Sequence, residues 1–166
     1  MRRLLALALF AMANGAHAGH ILVADLSEAY THSTALSGLL DAVDAELARI
    51  RTEYQPEIAK LQSQLRGLDK TQSAERLRIA REIHQIESAA EAAEVRLIEA
   101  NQRAIATVDA AIDAAKTAVA AAESAHALLD RNELLYVSPD CGCDRTEAVF
   151  ADLNRRLPSV ELKIDR

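Results

Sequence analysis

Two runs of apolar residues, each recurring every three or four positions and separated by a short polar turn, constrain this chain more than any other feature. The first runs Leu36, Leu40, Val43, Leu47, Ile50, Tyr54, Ile58, Leu61, Leu65 and Leu68. The second runs Ile79, Ile83, Ile86, Ala90, Ala93, Leu97, Asn101, Ala104, Val108, Ile112, Ala115, Val119 and Ala122. Each steps by about 3.6 residues, close to the 3.5-residue seam of a left-handed coiled coil, with mostly Glu, Asp, Arg, Lys, Gln and Ser between the apolar positions. A helix with one narrow apolar stripe needs a second stripe to bury it, and a matching helix across a turn supplies one. The turn falls at residues 67–72, where Gly67 can take a left-handed conformation and Asp69 with Gln72 can form a capping box. Pro56 sits where two fours follow each other, and because it cannot donate to the carbonyl of Thr52 a kink is expected there. Beyond Ala104 the second seam changes from Ile and Leu to Ala and Val, so the helices can approach more closely at the base, the expected site of assembly.

Composition agrees with this reading. Hydrophobic residues are 50% of the chain but aromatics only 3%, with no Trp, which suits long helices with narrow seams rather than a deep globular core. Strand signals flank the hairpin at Ile21-Leu22-Val23, at Leu128-Leu129 and at Leu134-Leu135-Tyr136-Val137, and a short helix capped by Asp144 and Glu147 carries Val149, Phe150 and Leu153 before Pro158. The expected fold is mostly α: a long antiparallel helical hairpin over residues 34–124, protruding from a small β-containing body built of residues 19–33 and 125–166. Ile21, Leu22, Val23, Leu134, Leu135, Tyr136 and Val137 offer too few strands for an independent sheet, so they are expected to join copies of the chain into a trimer.

The N-terminus reads as an export signal. Arg2 and Arg3 precede a short apolar run over residues 4–13, and Ala16-His17-Ala18 supplies a small-x-small cleavage site, so residues 1–18 are expected to be removed. That run is too short to span a bilayer, which takes about twenty residues. Removing two arginines takes the formal charge from -6 to -8, with 17 basic side chains against 25 acidic ones, a balance that disfavours nucleic acid as a partner. There is no phosphate-cradling Gly-rich loop, no His-Glu-x-x-His and no nucleophile elbow, so no catalytic residue, cofactor or metal is expected.

In its C-terminal third the chain reads Leu128-Leu129-Asp130-Arg131, then Leu135-Tyr136-Val137-Ser138-Pro139, then Asp144-x-Thr146-x-x-Val149-x-x-x-Leu153-Asn154. With the N-terminal strand and the charged hairpin, this resembles the Skp/OmpH family of periplasmic chaperones over nearly all of the mature chain. The resemblance implies a homotrimer whose short strands join in a central body, with three arms enclosing a cavity for unfolded outer-membrane proteins, and ATP-independent holding in the periplasm. Two features depart from the family: the mature chain is acidic where the best-known members are basic, and the loop over residues 139–144 carries a cysteine pair.

The acidity is unevenly placed. Between residues 60 and 81, Lys60, Arg66, Lys70, Arg76, Arg78 and Arg81 face only Asp69 and Glu75, a local excess of four positive charges. These six side chains are candidates for contact with anionic lipid headgroups or acidic client segments, against the plainer reading of a solvated helix end with ion pairs such as Glu75 with Arg78 and Arg78 with Glu82. Leu39, Leu77 and Ile98, just off the seam, are candidate client contacts, each weighed against packing within the arm. Cys141 and Cys143 can close a disulfide as a loop clip, bind copper or zinc with an imidazole, or bond between subunits, and no histidine shows ligand spacing with them. A structural coiled-coil spacer of the envelope and a redox or metal-handling protein therefore stand as alternatives to the chaperone.

Overall fold

The structure, a computed structural model, describes residues 20–138 and 140–165; the expected export signal lies outside them. Helix α1 (Leu26–Thr31) follows strand β1 (Ile21–Ala24), and helices α2 (Thr34–Gly67) and α3 (Ser73–Ala122) form the hairpin. Strand β2 (Ala127–Asp130), a 3-10 turn (Arg131–Glu133) and helix α4 (Thr146–Arg156) complete the order. At 1.5 Å per residue, the 34 residues of α2 extend about 50 Å and the 50 of α3 about 75 Å.

Three apolar clusters line the hairpin. Leu61, Ile79 and Ile83 lie near the turn; Ile50, Ala93 and Leu97 lie mid-arm; Leu36, Leu39 and Ala104 lie toward the base. Burying each Leu or Ile contributes about 1.5–3 kcal/mol relative to leaving it in water. The body core follows, with Val108, Ile112, Ala115 and Val119 of α3 packed against Val149 and Leu153 of α4 and Ala24 of β1. Strand β1 pairs in parallel with β2, Ile21 opposite Ala127 and Ala24 opposite Asp130. Parallel strands need a long crossover, and here the whole hairpin is that crossover. On the other edge of β1, Val23 bridges Asp144: its N–H donates to the Cys143 carbonyl at 3.0 Å and its carbonyl accepts from the Arg145 N–H at 2.7 Å.

Several local expectations are replaced. Of the two later strand signals, Leu128-Leu129 becomes β2 (Ala127–Asp130), paired with β1, whereas residues 134–137 form no strand and Leu135 and Tyr136 stand out exposed. Leu39, not Leu40, takes the seam position, being fully buried while Leu40 is 57% exposed. Both lie on the stripe side of Leu36, and the small Ala104 opposite Leu39 decides between them. Ala100 likewise replaces Asn101 in the second seam.

The caps also differ. Gly67 ends α2 without a positive φ, and the only described glycine in the left-handed region is Gly142. Gln72 accepts from the Asp69 N–H at 2.9 Å, half of a capping box, but the Asp69 carboxylate turns to the Thr71 N–H at 3.0 Å. At α4 the Asp144 carboxylate accepts from the N–H and hydroxyl of Thr146 rather than pairing with Glu147 in a box. Helix α2 runs through Pro56 without a break.

Candidate functional site

Three surfaces carry the candidate residues: the tip, the unpaired face of the body, and the apolar flank of the arm. At the tip the six basic residues do not act alike. Arg78 is gripped by Glu75 at 2.7 Å and Glu82 at 2.9 Å, the ion pairs of a solvated helix end. Hydrogen bonding to Arg78 holds the Glu75 carboxyl below its ordinary range and raises the guanidinium in turn. Arg76 is half-buried and donates to the carbonyls of Leu65 at 3.2 Å and Leu68 at 3.0 Å, satisfying acceptors that the end of α2 leaves without helical partners. Arg76 is thus part of the turn. Lys60, Arg66, Lys70 and Arg81 are exposed and make no ion pair among the described residues, so they carry the basic character of the tip.

At the body, Leu22 and Val23 are 0% and 3% exposed and belong to the core of a single chain. Ile21, Leu129, Leu135 and Tyr136 are exposed, Leu135 and Tyr136 at 108% and 78%, and the outer edge of β2 has no partner strand among the described residues. A large aliphatic and a phenol so fully in water, beside an open strand edge, are groups that a second chain can cover.

Conserving this face in place is a network of side-chain bonds. The Asp25 carboxylate accepts from the Glu28 N–H and the Asn132 amide, both at 3.0 Å, and these donors hold its pKa below the ordinary value. The Thr146 hydroxyl accepts from the Asp25 N–H at 2.8 Å and donates to Asp144 at 2.7 Å. Asp144 also meets Arg131 at 2.8 Å and is lowered, chiefly by the Thr146 N–H. Arg145 pairs with Glu123 at the end of α3, lowering that carboxyl too. Asn154 accepts from the N–H and hydroxyl of Thr34, both at 3.0 Å.

Cys141 and Cys143 are bonded to each other, their Cα atoms 5.1 Å apart, around Gly142 with φ +59°. The Arg145 guanidinium donates to the Gly142 carbonyl at 2.9 Å, and the Cys143 carbonyl and Arg145 N–H on either side of it bond to Val23, so the loop is tied to the edge of β1. Among the described residues no group of His, Cys, Asp and Glu is arranged to hold a metal ion. No described helix is long and apolar enough to cross a membrane.

Along the arm, Leu40, Leu77, Val95 and Ile98 are each about half exposed, whereas Leu39 is buried. Of the three expected client contacts, Leu77 and Ile98 remain at the surface. One feature went unread in the sequence. Leu157 and Val160 still pack against the body core, but Val160, Leu162 and Ile164 carry the chain on along the arm, and the signal was present in the strict alternation Val160-Glu161-Leu162-Lys163-Ile164-Asp165.

No protein-family profile matches the chain, and no curated protein sequence matches it. Among solved structures, the chain is similar to the 2.83 Å crystal structure of a proposed outer membrane chaperone (OmpH-like) from Caulobacter crescentus CB15. The likeness has a TM-score of 0.58 at 19% identity and covers 92% of this chain and 94% of that one. The two share a fold: a long helical hairpin on a small β-containing body.

Proposed function

We propose that this protein is an ATP-independent periplasmic chaperone that holds unfolded outer-membrane proteins and prevents their aggregation. The observation that carries the reading is an arm of two long helices, flanked by half-exposed Leu40, Leu77, Val95 and Ile98, standing on a body with an open strand edge. The fold shared with an OmpH-like chaperone along nearly the whole chain supports it. Unfolded barrel proteins expose strands of alternating apolar and polar residues with unpaired edges. Many weak apolar contacts on long arms hold such chains by avidity, without sequence recognition.

On this reading the protein is a homotrimer joined through the body, with Ile21, Leu129, Leu135 and Tyr136 between subunits. Lys60, Arg66, Lys70 and Arg81 at the tip meet anionic headgroups or acidic client segments, each contributing on the order of 1 kcal/mol near a charged surface. The disulfide of Cys141 and Cys143 clips the loop, and no cofactor, metal or nucleic acid takes part. The test is aggregation of a denatured outer-membrane protein, followed by scattering, with the mature protein present and ATP absent, alongside its light-scattering mass. Suppression by a species of three chains is expected. A monomer that leaves aggregation unchanged would return the protein to a structural spacer of the envelope.

A further inference from the structure

The C-terminal residues after α4 are neither helix nor strand, yet they follow the arm in an ordered way. Val160 packs beside Ala104 and Leu39, Leu162 between that cluster and the next, and Ile164 against the mid-arm cluster of Ile50, Ala93 and Leu97. The lengths agree. From Thr34 to Ile50 the helix rises about 24 Å at 1.5 Å per residue, and residues 158–165 span about 23 Å when extended. The tail is therefore a nearly extended segment that presents every second side chain to the arm and turns Glu161, Lys163 and Asp165 to water.

What holds it is slight. The Thr34 hydroxyl, whose one proton is shared between Asn154 and the tail, lies 3.0 Å from the Pro158 carbonyl, and Arg103 donates to the Lys163 carbonyl at 3.1 Å and to the Asp165 carboxylate at 2.9 Å. The Arg103–Asp165 pair is 51% and 84% exposed, so it contributes little. Helices α2 and α3 have no free backbone groups at this level to build a ladder with the tail. Beside the tail opens a cleft of about 890 Å³, walled by residues 161–165 and by Glu46, Arg49, Glu53, Tyr54, Ala93 and Arg96, so charged side chains flank the apolar groove that seats the tail.

We propose that this groove is a binding site for extended peptide segments with alternating apolar side chains, and that the chain's own tail fills it as a replaceable ligand. The tail displays the recognised pattern: apolar side chains at alternate positions and a carbonyl offered to Arg103. An unfolded barrel strand has the same pattern, so a client segment displaces the tail. The client class rests on the chaperone reading above; the groove itself does not.

The experiment titrates two labelled peptides into the mature protein: one with the tail sequence 158–166, the other an alternating strand of a transmembrane barrel. They are compared with the Leu162→Asp, Ile164→Asp variant, whose tail cannot seat. If the tail covers the groove in about nine molecules of ten, unseating it raises apparent affinity about ten-fold for both peptides, which then compete. Equal affinity in wild type and variant overturns the proposal, and binding of the tail peptide alone overturns the client class. Should the double variant lose helicity, the milder Leu162→Ser, Ile164→Ser variant leaves Arg103 and the arm's lining intact and must shift affinity in the same direction; no shift overturns the proposal. A protein that exchanges its tail for peptide but does not suppress aggregation sinks the chaperone reading and keeps the groove. One that suppresses aggregation without any exchange sinks the groove alone.

Discussion

The arm and the body are held by contacts of opposite reach. Along the arm most polar contacts stay within a turn of helix, as Arg49 with Glu46 and Glu53 and Arg78 with Glu75 and Glu82, the exceptions being Arg76 across the turn and Arg103 on the tail. In the body, Asp25 meets Asn132 and Thr146 across 107 and 121 positions, and Thr34 meets Asn154 across 120. Local contacts can open and close turn by turn, whereas a body that closes only after the whole hairpin has folded back opens as a unit. The arm is thus the region expected to open locally, and the body the region expected to open as a whole.

The largest test of that contrast is a pair of core truncations. Leu153 of α4 is fully buried among β1, α3 and α1 residues, so Leu153→Ala is expected to cost about 2–5 kcal/mol and to lower the global melting transition. Leu61→Ala, beside Ile79 and Ile83, should instead raise amide exchange near the turn and leave the main transition almost in place. Equal shifts of the global transition would mean that arm and body unfold together.

Acidification separates the regions by chemistry. Asp25, Asp144 and Glu123 are all held below their ordinary pKa by N–H donors or Arg145. A carboxyl lowered in the folded state gives stability that is present above its unfolded value and lost as pH falls through the folded one. Below about pH 4 the body, together with the tip where Asp69 and Glu75 are likewise lowered, should therefore loosen first, seen as faster exchange of β1, α4 and turn amides while helical circular dichroism, dominated by α2 and α3, persists. Helicity falling in step with body protection would break the comparison.

The same contrast explains what the sequence made legible. Helix periodicity is a local signal, so both arm helices and the turn near residues 67–72 could be read, with errors only where two neighbours competed, as Leu39 with Leu40. Body strands are defined by partners far away in sequence: residues 134–137 carry strand-like side chains, but β1 already has β2 on one edge and residues 143–145 on the other. Charge counting found the basic tip but not that Arg76 reaches two carbonyls of the other helix, because that depends on the turn's shape. The tail's alternation was legible; its partner, a helical hairpin rather than a sheet, was not.

Within the tip, Arg76 and Arg78 give a finer test of local against through-turn contacts. Arg76→Gln removes both bonds to the end of α2 and should cost about 1 kcal/mol, expressed as fraying of the turn. Arg78→Gln removes two exposed, solvent-screened ion pairs and should leave stability essentially unchanged. Exchange rates at Leu65 and Leu68 that respond equally to both substitutions would deny Arg76 its special place.

A further small effect is expected where arm joins body. Helix α3 ends with the Ala125 N–H on the Ala120 carbonyl at 2.9 Å and the Ser124 N–H on the Ala121 carbonyl at 3.1 Å, the paired bonds of a Schellman motif. That motif places one residue in the left-handed region, and here it is Ser124, φ 54°, where a Cβ crowds the following carbonyl. Glycine relieves the crowding, worth about 1–2 kcal/mol, but returns part of the gain through the freedom it adds to the unfolded chain, about 0.4–1 kcal/mol. Ser124→Gly should therefore stabilise the protein by roughly 0.5–1 kcal/mol, and Ser124→Val should destabilise it, since a β-branched residue tolerates positive φ least. Because Glu123 beside it pairs with Arg145, the gain should appear in the cooperative transition of the body and not in exchange at the tip. Chemical denaturation of the three proteins decides the matter: a glycine variant no more stable than wild type would show that the joint is not strained, and that the α3 end carries Ser124 at no cost to the body.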